Sequence, residues 1–161
     1  MRAKTNRLRA LKGFNLIELV IAIVVIGILS KVVIAKYMGF STTARLSAVK
    51  NLTAIVISAK NDAQARCIAT SGCYGNGITF QLTINGVSYQ MVNGYPASGD
   101  NGGTEIDQLV AAPAIFTIIK ESPWTYWQLS SAPSPANCYV AYEAASSSAV
   151  PPLIVSATTG C

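Results

Sequence analysis

Gly13-Phe14-Asn15-Leu16-Ile17-Glu18-Leu19-Val20-Ile21-Ala22-Ile23-Val24-Val25-Ile26-Gly27-Ile28-Leu29 is the stretch that decides how this chain is read. Before it stands a polar leader carrying Arg2, Lys4, Arg7, Arg9 and Lys12. After Gly13 the positive charges stop and an apolar run begins at once. A secretory signal peptide orders its parts differently: charges, a short apolar region, then a cleavage site after small residues. Here the candidate cleavage site precedes the apolar run, so a cut after Gly13 leaves that run on the mature chain. From Phe14 to Ile34 only Asn15, Glu18, Ser30 and Lys31 are clearly polar. That length approaches the about 20 residues that cross a bilayer's hydrocarbon core.

The rest of the composition fits one domain. The chain has 161 residues, enough for a modest core, and a net charge of +5. The leader holds five of the 12 basic residues, so the remaining seven balance the seven acids. The leader's charge therefore favours a cytoplasmic N-terminus by the positive-inside rule. It argues little for a nucleic-acid surface on the mature chain. The organisation predicted is a leader over 1–13, an apolar helix over 14–36 and a globular domain over 37–161.

Beyond Lys36 the hydrophobic pattern changes. Val49, Leu52, Val56, Ala59 and Ala63 recur at spacings of three and four, one buried stripe of an amphipathic helix, with Lys50, Lys60, Asn61 and Gln64 on other faces. One helix from Phe14 to about Arg66 is expected, roughly 80 Å long at 1.5 Å per residue. Its first half has no partner within its own globular domain and needs either lipid or copies of itself. After the Cys67–Cys73 segment the period drops to two. Ile78, Phe80, Leu82 and Ile84 alternate with polar residues, and Val87, Tyr89 and Met91 do so after Asn85-Gly86. Asn-Gly between alternating strands marks a tight hairpin, because a type I′ turn needs positive φ at both central residues. Residues 93–104, rich in Gly, Asn, Ser and Asp, are predicted as a surface loop. A short helix is expected from Thr104 to about Ala111, and strands at Trp124–Leu129, Cys138–Glu143 and Leu153–Ser156. The fold class is α+β: a long N-terminal helix packed on an antiparallel sheet.

Four cysteines, Cys67, Cys73, Cys138 and Cys161, follow the apolar run. If the run inserts with its leader inside, all four reach an oxidising compartment where disulfides persist. Three pairings exist on paper. Cys67 with Cys73 and Cys138 with Cys161 is preferred, since each bridge then spans neighbouring segments. Zinc fits poorly, because neither pair has ligand spacing and the chain has no His.

The Gly13–Phe14 step, the acid on the fifth residue counted from Phe14, and the apolar run that follows resemble the N-terminus of type IV prepilins, the class III signal family. The resemblance covers about residues 9–38, and Gly94-Tyr95-Pro96-Ala97 looks like the mannose-sensitive haemagglutinin pilins within that family. Two departures stand out: Asn15 where Thr is more usual, and no proline near Ala35. The resemblance implies cleavage between Gly13 and Phe14 by a prepilin peptidase, then methylation of the Phe14 amine. It implies a pilin fold with a C-terminal disulfide loop. It also implies a precursor in the inner membrane, lifted by an assembly platform and motor into an extracellular helical homopolymer. Adhesion, aggregation, twitching motility and DNA uptake are the uses it implies, with a surface receptor or DNA as outside partners.

Glu18 carries its own argument. An acid inside a membrane helix costs roughly 2.5–3.5 kcal/mol at the bilayer centre, so it is read as functional. Two unit charges 4 Å apart attract by about 4 kcal/mol at an effective dielectric near 20. A Phe14 amine, freed by cleavage in the same or a neighbouring subunit, would offset that cost. The resemblance favours the neighbour, which makes Glu18 an assembly residue. Other features read more plainly. Trp124, Tyr126 and Trp127 are expected mainly as core rather than a sugar or DNA site. Asp100-Asn101-Gly102-Gly103 fits too few positions of a calcium loop, and the Asn51-Leu52-Thr53 sequon lies mid-helix. No nucleophile motif, phosphate loop or metal cluster is legible, so no catalytic residue, metal or cofactor is assigned and the chain reads as a non-enzyme. Two alternatives remain at this stage. One is a type II secretion pseudopilin, whose major members tend to bind calcium rather than use a C-terminal disulfide. The other is an uncleaved single-span membrane protein with a periplasmic binding domain.

Overall fold

In a computed structural model of the chain, residues 15–100 and 103–161 are described, apart from the side chains at 32 and 35–38. The Gly13–Phe14 junction and Asn101-Gly102 lie outside the described residues. The chain divides into two compact units between Ser41 and Thr42. Helix α1 (Leu16–Ile68) supplies the described part of the first unit and opens the second.

In the second unit the helix period of the sequence becomes a packing surface. Val49, Leu52, Val56 and Ala63 are buried, and Ala59 is partly buried between them. Cys67 extends the same stripe by one more turn. Two antiparallel sheets meet this stripe, where the sequence led us to expect one. The first holds β1 (Thr79–Ile84), β2 (Val87–Val92) and β3 (Tyr95–Pro96) in that order. Its Leu82, Ile84 and Met91 pack with Ala63 and Cys67. The second sheet runs β4 (Phe116–Glu121), β5 (Trp124–Leu129), β6 (Tyr139–Glu143) and β7 (Leu153–Ala157). Its Phe116, Trp127, Leu129, Val140 and Tyr142 pack with Val49, Leu52 and Val56. At about 25 cal/mol per Å², each fully buried Leu or Val contributes 1.5–3 kcal/mol relative to exposure. The fold is thus α+β, with helix, antiparallel sheets and a C-terminal disulfide.

Both turns of the first sheet come from the same dipeptide. Asn85 and Gly86 have φ of 51° and 83° and join β1 to β2, with Ile84 paired to Val87. Asn93 and Gly94 have φ of 55° and 90° and join β2 to β3, with Val92 paired to Tyr95. The second turn overturns the expected surface loop. Residues 93–99 are buried, and Asp100 is the first exposed residue after them. Their polar groups are satisfied inside. The Asn93 side chain accepts from the Gly77 N–H at 2.7 Å and donates to the Ala145 carbonyl at 2.8 Å. The Ser98 hydroxyl donates to the Pro123 carbonyl and accepts from the Ala144 N–H. A polar composition marks a surface only when the backbone needs water, and here protein groups replace it.

Helix α2 (Ile106–Leu109) is one turn, shorter than the Thr104–Ala111 helix expected. Strand β4 was not foreseen. Its Phe116-Thr117-Ile118-Ile119 carries apolar side chains on both faces, so the alternation that betrays a half-buried strand is missing. It pairs in register with β5 across the Ser122-Pro123 turn, whose peptide bond is cis.

Candidate functional site

The described surface most in need of a partner is the first part of α1. The helix opens on Asn15, whose carbonyl accepts from the N–H groups of Glu18 at 3.0 Å and Leu19 at 3.2 Å. Consecutive residues then point to every side of the helix, each step turning about 100°. Leu19, Val20 and Ile21 are exposed in succession, as are Ile23, Val24, Val25 and Ile26. Leu16 is 77% exposed and Ile17 63%. A helix that is apolar all round is normally buried in a large core or in lipid. Glu18 is the one acid of this surface and stands in the first turn, where the helix dipole favours a negative charge. Among the described residues no ion pair reaches Glu18 or Lys31. Also among the described residues, no helix is long and apolar enough to cross a membrane.

Gly13 and Phe14, expected as cleavage and methylation sites, lie outside the described residues. The four cysteines form two bridges, Cys67–Cys73 and Cys138–Cys161. This is the pairing preferred from their positions. The first staples the C-terminal end of α1 to the turn before β1. The second closes the chain end onto the residue that precedes β6. Arg45 of α1 adds a tie, its Nη1 donating to the Cys161 carbonyl at 3.1 Å.

The aromatic triplet separates by face. Trp127 is fully buried in the core beside α1, and among the described residues its indole N–H has no hydrogen-bond partner. Trp124 and Tyr126 lie partly exposed on the other face of the sheet. The expectation of core holds for Trp127 and not for its neighbours. Asn51 is exposed on α1. Among the described residues no group of three or more His, Cys, Asp or Glu is placed to hold a metal ion.

One charged cluster escaped the sequence reading. Lys120 Nζ lies 3.0 Å from Asp107 Oδ2 and 3.5 Å from Glu105 Oε2, and the Glu105 side chain is wholly buried. Burial opposes the charge on Lys120. The hydrogen bond and attraction of Asp107, with Glu105 behind it, outweigh that and hold its pKa above the ordinary value. Glu105 and Asp107 fall at the start of the helix expected from Thr104, and the structure sets both against Lys120 of β4. A nearby cleft of about 440 Å³ is lined by Gln90, Ala97, Ser98, Ser122 and Pro123, without a titratable side chain. Neither arrangement brings a nucleophile to a base.

No family model, curated protein or solved structure matches this chain.

Proposed function

We propose that this chain is the structural subunit of a type IV pilus and that its α+β arrangement is the pilin fold. The observation that carries the reading is the first part of α1: an apolar surface exposed on every side, with one carboxylate in its first turn. The Gly13–Phe14 step immediately before it supports the same reading. A prepilin peptidase removes residues 1–13, and the new Phe14 amine is methylated. The precursor waits in the inner membrane until the assembly platform and motor lift it into the filament. There the apolar surfaces of many copies bury one another, and Glu18 pairs with the Phe14 amine of a neighbour. The sheets form the outer coat of an extracellular filament that serves adhesion, aggregation, twitching motility or DNA uptake. The Cys138–Cys161 bridge favours this reading over a type II secretion pseudopilin.

The test is mass spectrometry of the N-terminus in sheared extracellular material and in the cell envelope, together with a Glu18→Ala variant. A methylated Phe14 start in the sheared fraction is expected. Glu18→Ala is expected to insert normally and to make few or stunted filaments. An intact leader in both fractions would overturn the reading, and normal filaments from Glu18→Ala would remove the role given to Glu18.

A further inference from the structure

An antiparallel sheet covered on one face normally turns polar residues outward on the other. The four-stranded sheet turns aromatic and aliphatic residues outward among its polar ones. On β5, Thr125, Trp127 and Leu129 are buried on the face that meets α1, so Trp124 and Tyr126 stand on the opposite face. Pairing places Glu121 of β4 and Glu143 of β6 directly across from Trp124, one on each side. Direct cross-strand partners share a face, with Cβ atoms about 4.5–5.5 Å apart. Tyr126 lies 6.2 Å from Trp124 and 5.5 Å from Tyr139, ring centroid to ring centroid, with Tyr139 nearly perpendicular at 78°. Leu153 and Val155 of β7, on the same face, are 53% and 42% exposed.

The charge on this face is one-sided. Lys120 is the only base in the four strands, and it is engaged with Glu105 and Asp107. Among the described residues neither Glu121 nor Glu143 forms an ion pair. Partial burial first, then Tyr139 and the two glutamates, holds the Tyr126 hydroxyl's pKa above its ordinary value, so the phenol stays neutral at physiological pH. Aromatic faces attract cations through the ring quadrupole, and two uncompensated carboxylates add to that attraction.

We propose that this face binds a quaternary ammonium group over Trp124 and Tyr126, between the carboxylates of Glu121 and Glu143. A primary ammonium is compact, strongly hydrated and carries N–H donors that aromatic rings satisfy poorly. A trimethylammonium group carries its charge without N–H donors, and its methyl groups can bury against the rings and against Leu153 and Val155. The binding is weak and saturable, because an open sheet face covers only one side of its ligand. It is independent of the filament reading, since a dispersed chain shows it without assembly.

The experiment uses the full chain in a maltoside detergent at constant ionic strength, with choline chloride as probe. Its neutral isostere 3,3-dimethyl-1-butanol and the primary amine ethanolamine are the comparisons. Binding is read by saturation-transfer NMR and by tryptophan emission. Choline is expected to bind about fivefold more tightly than either. Glu121→Gln with Glu143→Gln is expected to weaken choline about tenfold, each carboxylate contributing as an exposed ion pair does. Trp124→Phe is expected to abolish the emission change, because Trp127 is buried on the other face. The emission of Trp127 reports that each variant keeps its core. Any of four results would overturn the proposal: no saturable choline signal, equal binding of the neutral isostere, equal binding of ethanolamine, or undiminished choline binding in the double glutamine variant. The comparison of ligands on the wild-type chain stands even if a variant fails to fold.

Discussion

Lys120→Met isolates the value of the buried charge cluster. The ammonium lies 3.0 Å from Asp107 and 3.5 Å from Glu105, whose side chain is fully buried. Methionine keeps most of the stem and its packing but removes the charge. Glu105 and Asp107 then lose the Lys120 ammonium, and Asp107 has only a tenth of its side chain in water. Removing one partner of a buried pair costs 3–5 kcal/mol, because it leaves an uncompensated buried charge. About a quarter of the Lys120 side chain is exposed, so water replaces part of what is lost. The expected loss is therefore at the low end, about 3 kcal/mol. For a chain of this size that lowers the melting temperature by about 8 °C. Near-UV circular dichroism of the chain in mild detergent follows it, with Trp127 and Tyr142 as core reporters. Adding Glu105→Gln and Asp107→Asn to Lys120→Met removes both stranded charges and should recover most of the loss. A Lys120→Met variant that melts within about 1 °C of wild type would refute the argument and class the cluster with exposed ion pairs.

The remaining predictions use the same melting assay. Replacing Cys138 and Cys161 together by Ser opens a bridge of sequence separation 23 and should cost about 3 kcal/mol. The same change at Cys67 and Cys73, separation 6, should cost less, about 2 kcal/mol; the reverse order would show that loop entropy does not govern. Alkali should destabilise the fold. Burial, with Tyr95 nearby, raises the Tyr142 pKa above its unfolded 10.0, and Asp107 and Glu105 raise that of Lys120 above 10.5. A group that holds its proton more tightly when folded gives stability that is complete below the unfolded pKa and lost as pH rises past it. These two groups should thus add no pH dependence below pH 10.0 and a growing loss of stability above it. Tyr142→Phe should flatten that fall while losing about 1 kcal/mol at neutral pH with its 2.7 Å hydrogen bond to the Pro96 carbonyl.

What was legible in the sequence is what a single period encodes. The stripe from Val49 to Ala63 and the Asn85-Gly86 hairpin repeat at 3.6 and 2 residues, and the residues that repetition names are buried wholly or in part, except Val87, which is 44% exposed. Asn93-Gly94 carries the same turn signal as Asn85-Gly86, yet the polar residues around it suggested water. Their partners, Gly77, Pro123, Ala144 and Ala145, come from distant parts of the chain, and no local pattern announces them. Strand β4 hides for the opposite reason: apolar residues on both faces erase its alternation. The outer aromatic face was partly visible as Trp124 and Tyr126. Its carboxylates were not, because only the pairing of three strands brings Glu121 and Glu143 beside Trp124.

Helix α1 changes its surroundings where its pattern changes period, and Glu18 is what separates the partners its first part could take under the proposed function. Beyond Ala48 the buried apolar residues Val49, Leu52, Val56 and Ala63 form one stripe, and the sheets of the same chain cover it. Before Lys31 the apolar residues occupy every side, and lipid alone would satisfy all of them except Glu18. On insertion scales a membrane charges roughly 2.5–3.5 kcal/mol for such an acid at its centre. The helix dipole returns about 0.3–1 kcal/mol in the first turn. The difference, about 2 kcal/mol, is within reach of a single cation at hydrogen-bond distance, worth about 4 kcal/mol before desolvation at an effective dielectric near 20. Lipid tails supply no such cation. In the filament proposed above, a neighbouring copy with a free amine at Phe14 would supply it together with the apolar cover, and on that proposal the one carboxylate argues for self-assembly more strongly than the apolar residues do.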